Sequence, residues 1–169
     1  MIELKSFKLE KLDIEGKHYG LIQGMAMDNK IKLYIARDFI KWLGEHQAIS
    51  EDKIEVGKMY AIIEEEREIG VVGSLNLTDD GILNVIYAIK KNVRDKGYGK
   101  KILEEVTSYY LENIKGIRGI KLTIDSSNKG SKRVALANGY VNKGIEDSGL
   151  ENWYYDNVSQ EMERIGKVK

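Results

Sequence analysis

The chain has 169 residues, of which 42% are hydrophobic and 32% charged, enough to bury a substantial core in one soluble domain. Its 27 Lys and Arg balance its 27 Asp and Glu, so there is no global basic field of the kind that holds nucleic acid. Cysteine is absent, which excludes disulfides, thiolate nucleophiles and cysteine metal sites; proline is absent too, so glycine, Asn and Asp supply the punctuation.

The opening MIELKSFKLEKL alternates and carries charge, unlike a signal peptide. No apolar run is long enough to span a bilayer, so a cytoplasmic protein without membrane contact is expected. Residues 2–9 read as a first strand, with Ile2 and Leu4 on alternate positions. Between about residues 16 and 48 two helices are expected. Tyr19, Ile22 and Met25 or Ala26 share one helical face, and Phe39, Trp42 and Leu43 another. Residues 59–66 and 69–77 read as strands around a charged turn, and Glu64, Glu65, Glu66 and Glu68 read as a solvated tip. Asp80-Gly81 signals a hairpin, so the strand at 82–89 should pair antiparallel with its predecessor.

The chain then changes character. Residues 97–113 repeat apolar positions at helical spacing, residues 117–125 read as a strand, and a short helix runs from an N-cap at Asn128 to Asn138-Gly139. Two final strands are expected at 140–145 and 153–156. No repeat, low-complexity tract or linker interrupts this order, and one α/β domain over residues 1–169 is the economical reading.

The strand at 82–89 runs through a basic loop into two glycines and a helix. Lys90, Lys91, Arg94, Lys96, Lys100 and Lys101 surround the turn, with only Asp95 against them. The unpaired amides of a helix start, with the helix dipole behind them, make a phosphate site. A P-loop does not fit, because Lys101 follows Gly99-Lys100 where Ser or Thr is needed and Arg94 stands where the first glycine belongs. A dinucleotide fingerprint does not fit either, because Lys100, Lys101 and Ile102 follow Gly97-Tyr98-Gly99 without the third glycine.

Arg94-Asp95-Lys96-Gly97-Tyr98-Gly99 has the form Arg-x-x-Gly-x-Gly, which resembles the coenzyme A pyrophosphate signature of the GNAT family of N-acyltransferases. A second segment strengthens the resemblance. Asn128-Lys129-Gly130-Ser131-Lys132-Arg133-Val134-Ala135, then Gly139-Tyr140, is similar to the family's N-x-x-S-x-x-V-A and G-F pattern, with Tyr140 where Phe is more usual. The Asn-Ser form is most similar to the branch that includes ribosomal-protein N-terminal acetyltransferases.

The resemblance implies a GNAT-like domain with a central mixed, mostly antiparallel sheet flanked by helices. It implies transfer of an acetyl group from acetyl-CoA to a primary amine, with no metal. The backbone from Lys96 to Lys100 would hold the pyrophosphate, with Arg94 and Lys100 or Lys101 beside it. Asn128 and Ser131 would also face the cofactor. The backbone of Ile89, with Ala88 and Lys91 adjacent, would serve pantetheine and the thioester carbonyl, because the family's strand splays from its neighbour there. The tyrosine that many members use to protonate the leaving thiolate is replaced by Ala135, which leaves Ser131 as the candidate acid; capping of the helix is its other reading.

For the amine's proton, Asp125, Glu146 and Glu151 are candidates, with Tyr87 able to help; each also reads as turn or surface polarity. His18 and His46 are isolated and make no metal site. Trp42, Trp153, Tyr154 and Tyr155 read as core or as walls of the acceptor cleft. The partners expected are acetyl-CoA and an amine acceptor, without nucleic acid, and the sequence leaves a homodimer open. A non-catalytic acyl-CoA-binding module is the alternative function.

Overall fold

A computed structural model describes residues 1–156. The expected domain extends to Lys169, and residues 157–169 lie outside the described part. The first expected strand is two: β1 (Ile2–Glu3) and β2 (Lys8–Lys11) fold back on each other, with Ile2 opposite Leu9. A turn closed by Leu4 N–H to Phe7 O at 2.8 Å separates them.

Three helices follow where two are expected: α1 (Tyr19–Ala26), α2 (Asn29–Tyr34) and α3 (Phe39–Gly44). The division comes from two aspartates. Asp28 caps α2 by accepting from Lys30 N–H at 3.0 Å, and Asp38 caps α3 by accepting from Lys41 N–H at 3.2 Å. Leu21, Ile22 and Met25 form the buried face of α1, while Tyr19 is exposed. Phe39 and Leu43 are buried in α3, and Trp42 stacks on Phe39. His18 is buried by a structural contact, its Nδ1 accepting from Asp13 N–H at 2.9 Å.

β3 (Met59–Glu64) and β4 (Arg67–Leu77) form a hairpin. Its turn residues Glu65 and Glu66 both have positive φ, at 47° and 69°, which suits the twist of paired strands. β5 (Ile82–Ile89) pairs antiparallel with β4 across the Asp80-Gly81 turn, as the sequence indicates. A single 3₁₀ turn (Lys91–Val93) leads to α4 (Tyr98–Asn113). Then come β6 (Gly119–Asp125), α5 (Lys129–Ala137), β7 (Val141–Ile145) and β8 (Leu150–Asp156). β8 starts three residues earlier than the sequence suggests, because Leu150 to Asp156 pair residue by residue with β6.

The eight strands form one sheet in the order β1-β2-β3-β4-β5-β6-β8-β7. Every neighbouring pair is antiparallel except β5 and β6. This is the mixed, mostly antiparallel sheet that the family resemblance implies.

Strand alternation divides the core in two. Val72, Leu83, Val85 and Ile120 meet Ile102, Leu103, Val106 and Tyr110 of α4 on one face. Met59, Ala61, Val71 and Ala88 meet Leu21, Ile22, Phe39 and Leu43 of the first three helices on the other. Leu103 has no exposed surface, so Leu103→Ala should cost about 2–5 kcal/mol of stability through lost burial and a residual cavity. Urea unfolding of the two proteins reads this directly.

Candidate active site

β5 and β6 are paired only at Ile82–Gly119, Leu83–Ile120 and Asn84–Lys121. Beyond those three positions the strands separate, and a cleft of about 720 Å³ opens between residues 85–89 of β5 and 122–125 of β6. The loop before α4, the start of α5 and one side of α2 complete its walls. The edge of β5 in this gap carries oriented backbone groups. Lys90 N–H donates to Ile69 O at 2.9 Å, so those two residues form a hydrogen-bonded antiparallel pair. Gly70 and Ile89 are then the neighbouring non-hydrogen-bonded pair, and the N–H and C=O of Ile89 point away from β4. They face the gap that β6 has left.

The loop below the gap ends in a helix start without a side-chain cap. Gly97 is the N-cap residue of α4, with φ 84°, a conformation that favours glycine. The first helical bond runs from Lys101 N–H to Gly97 O, which leaves the amides of Tyr98, Gly99 and Lys100 ahead of it. A side chain at 97 would project into open space, since nothing lies within 4 Å of its Cβ position. A Cβ at Gly99 would make ordinary contacts, 3.4 Å from Val134 Cγ2 and 3.7 Å from Tyr87 Cε2.

The expected cofactor residues converge here. Arg94, Asp95, Gly97, Tyr98, Gly99 and Lys100 line the cleft from the loop. Ile89 lines it from β5, and Asn128 and Ser131 from α5. Lys96 lies outside the lining and is exposed. Lys101 is turned away, its Nζ 5.9 Å from the Phe7 ring centre, so Lys100 is the lysine of that pair at the cleft. Lys30, Arg94, Lys100, Lys129 and Arg133 outnumber Asp95 and Asp125, so the cleft is cationic in a neutral chain.

Several side chains do something the sequence does not suggest. Arg94 donates from Nε to Ile89 O at 3.0 Å and pairs through Nη2 with the Asp28 carboxylate. The loop is thereby fastened both to β5 and to α2. Tyr98 turns its hydroxyl to the β3–β4 hairpin, donating to Glu64 at 2.7 Å and accepting from Arg67. Glu64 is therefore not part of a solvated tip. The carboxylate of Asp28 works against its burial but is held below the usual range by the Arg94 guanidinium and the Lys30 amide.

The base candidates fare differently. Asp125 lines the cleft, but its Oδ1 accepts from the Ser127 hydroxyl at 2.6 Å and the Ser127 amide at 2.9 Å, which lower its pKa and make it a weak base. Glu151 is buried away from the cleft, where it takes Lys132 at 3.1 Å, Asn142 at 3.0 Å and Trp153 Nε1 at 3.1 Å. Glu146 belongs to the β7–β8 turn and is not part of the lining. Tyr87 packs toward α4 and α5, and burial pushes its phenol up to about 12, the wrong direction for a base.

The reading of Ser131 as a helix cap is set aside, because Asn128 Oδ1 makes the cap, accepting from Ser131 N–H at 3.3 Å. Ala135 is fully buried, so a phenol has no room at that position. The sequence reading missed Lys30 and Tyr34, which line the cleft because α2 is a separate helix, and Asp28, which caps that helix and holds Arg94; the Asp28-Asn29 cap was the available signal.

Residues 25–141 match the family described as acetyltransferase (GNAT) domain, and the chain belongs to that family. The fold is shared with solved structures at low identity. One is the aminoglycoside acetyltransferase AAC(6')-Ib in complex with coenzyme A and kanamycin, with a TM-score of 0.71 and 15% identity, covering 94% of this chain and 99% of that one. A spermidine N-acetyltransferase from Vibrio cholerae in complex with CoA and spermine has a TM-score of 0.71 at 13% identity, covering 90% and 96%. RimL, a ribosomal L7/L12 alpha-N-protein acetyltransferase in complex with coenzyme A, has a TM-score of 0.68 at 14% identity, covering 91% and 98%. No curated protein matches the chain by sequence. Among the described residues no group of His, Asp or Glu is arranged to hold a metal ion, and no helix is long and apolar enough to cross a membrane.

The Asp28–Arg94 pair has a pH signature. A carboxyl whose folded pKa is depressed stabilises the fold fully above its unfolded value of about 3.9 and loses that contribution as pH falls through the lower folded value. The acid limb of unfolding free energy should therefore be shallower in Asp28→Asn than in the parent, measured by denaturant titration between about pH 5 and 2.5.

Proposed function

We propose that this chain transfers an acetyl group from acetyl-CoA to a primary amine. The observation that carries the reading is the uncapped start of α4 lying directly under the opening between β5 and β6. Amides at a helix start, with a cationic rim, suit a pyrophosphate. The freed edge of β5 suits an extended amide chain such as pantetheine, and Ile89 N–H is directed where a thioester carbonyl gains negative charge. One backbone donor of this kind contributes on the order of 3 kcal/mol to transition-state stabilisation.

Ser131 is the hydroxyl we assign to the departing sulfur. An alkyl thiol ionises near about 8.5, so a hydrogen bond suffices and full proton transfer is unnecessary. Neither Asp125 nor Tyr87 is assigned as the base, and the amine gives up its proton to water in the open cleft. The acceptor is a small amine, a protein N-terminus or a lysine, entering between α2 and the end of β6. The reaction needs no metal and no nucleic acid, and the protein works in the cytoplasm as one domain over residues 1–169, as a monomer or homodimer.

Acetyl-CoA and CoA should raise the melting temperature, while ATP and NAD should do so much less. At about 100 times its dissociation constant a ligand adds about 2.7 kcal/mol. Gly97→Glu and Gly99→Glu should abolish this shift, since each adds a carboxylate at the cleft-lining start of α4, where the dipole favours an anionic ligand, with a left-handed φ adding strain at 97. Their far-UV spectra should remain those of the folded protein. Thiol release from acetyl-CoA across a panel of amines and peptides then identifies the acceptor. Equal stabilisation by ATP or NAD, or unchanged CoA affinity in both variants, overturns the reading.

A further inference from the structure

Tyr87 carries a polar atom that the fold leaves unsatisfied. Its hydroxyl is buried and makes no hydrogen bond in this conformation, although the Ser131 side chain lies beside it. A buried hydroxyl without a partner is costly, and where it persists beside a cleft it invites a functional explanation. The ring lies beside Gly99 of α4, its Cε2 3.7 Å from where a Cβ there would stand, and packs against the same core as Val134 of α5. Apart from burial, the polar group that acts on the phenol is Ser131, in the first turn of α5. Tyr140 is a further titratable neighbour, and its own hydroxyl is engaged with Thr107 at 2.7 Å.

Ser131 does not cap its own helix. Asn128 makes the cap of α5, so the serine hydroxyl is left for other use. It is partly exposed and lines the cleft, whereas the tyrosine oxygen behind it is sealed from solvent. The order from the interior outward is therefore phenol, serine hydroxyl, cleft.

We infer that Tyr87 is a positioning residue for the transfer: when the Ser131 side chain rotates toward it, the tyrosine hydroxyl donates to Ser131 Oγ and so directs the serine proton into the cleft, toward the sulfur of the acyl donor. This rests on the acetyl-CoA reading above. When the amine nitrogen bonds to the thioester carbon, the carbon–sulfur bond breaks and its electron pair stays on sulfur. Ser131 donates a hydrogen bond to that charge, Tyr87 donates to Ser131, and both hydroxyls keep their protons. The nitrogen releases its proton to water. The high pKa of the buried phenol fits a donor that stays protonated. Delivery from β5 also explains how the site works with Ala135 on α5, one turn beyond Ser131.

The test uses CoA and desulfo-CoA, which differ only at the thiol, and needs no acceptor. Their affinities for the full-length protein are measured by calorimetry from about pH 6 to 10, where a free thiol ionises. If the two hydroxyls stabilise the thiolate, CoA should gain on desulfo-CoA as pH rises, about tenfold for each unit by which the bound thiol's pKa is lowered. Tyr87→Phe, which keeps the ring, should remove most of that gain and leave desulfo-CoA affinity unchanged. Ser131→Ala should do the same, and the double variant should lose little more than either alone.

A pH profile identical in the parent and Tyr87→Phe overturns the proposal while leaving the acetyl-CoA reading intact. Equal weakening of CoA and desulfo-CoA by Tyr87→Phe also overturns it, since the tyrosine would then only shape the cleft. Binding of neither ligand by the parent overturns the cofactor reading and this proposal together.

Discussion

Three residue pairs hold β5 to β6, and everything at the site depends on there being no more. A parallel neighbour in full register would take up the backbone edge of β5 and close the space between the strands. Because pairing ends at Asn84 and Lys121, the strand reaches Ile89 with its outward backbone groups facing a cleft. The same divergence leaves room above the start of α4. The two halves of the sheet remain one body because α4 and α5 pack across the seam: Val85 and Ile89 from β5 and Leu122 and Ile124 from β6 share a core with Ile102, Leu103 and Val106.

Much of this was legible in the chain. Asp80-Gly81 fixed a hairpin, the glycines at 97 and 99 marked a helix start, and the segment from Asn128 to Tyr140 showed a second helix with its cap. These are local signals, and each depends on residues within a few positions of one another. Other features failed to show because they depend on distant parts of the chain. The split between β1 and β2 is held in part by Ser6 N–H donating to Glu105 on α4, ninety-nine residues away. The exposed edge β7 carries no buried residue, so its strand character rests on β8 alone.

The site was legible in its backbone and less so in its side chains. The motif Arg-x-x-Gly-x-Gly marks a helix start, and the start is there. It does not reveal that Arg94 is fastened to Asp28 and Ile89 O, or that Tyr98 points to Glu64. Glu151 resembled a surface carboxylate in sequence, yet Lys132, Asn142 and Trp153 enclose it. Charge alone did not separate a free carboxylate from one already committed. Only neighbours from other elements do that.

The Asp28–Arg94 contact joins residues sixty-six positions apart, one capping α2 and one in the loop before α4. Neither charge is easily changed alone, because the partner left behind would be a largely buried, unpaired ion. The two codons are therefore linked by selection. A descendant of this chain can abandon the pair only by replacing both residues, or by passing through an intermediate with a loosened loop. Remodelling of α2 to suit a new acceptor is thus restrained by a residue of the loop before α4.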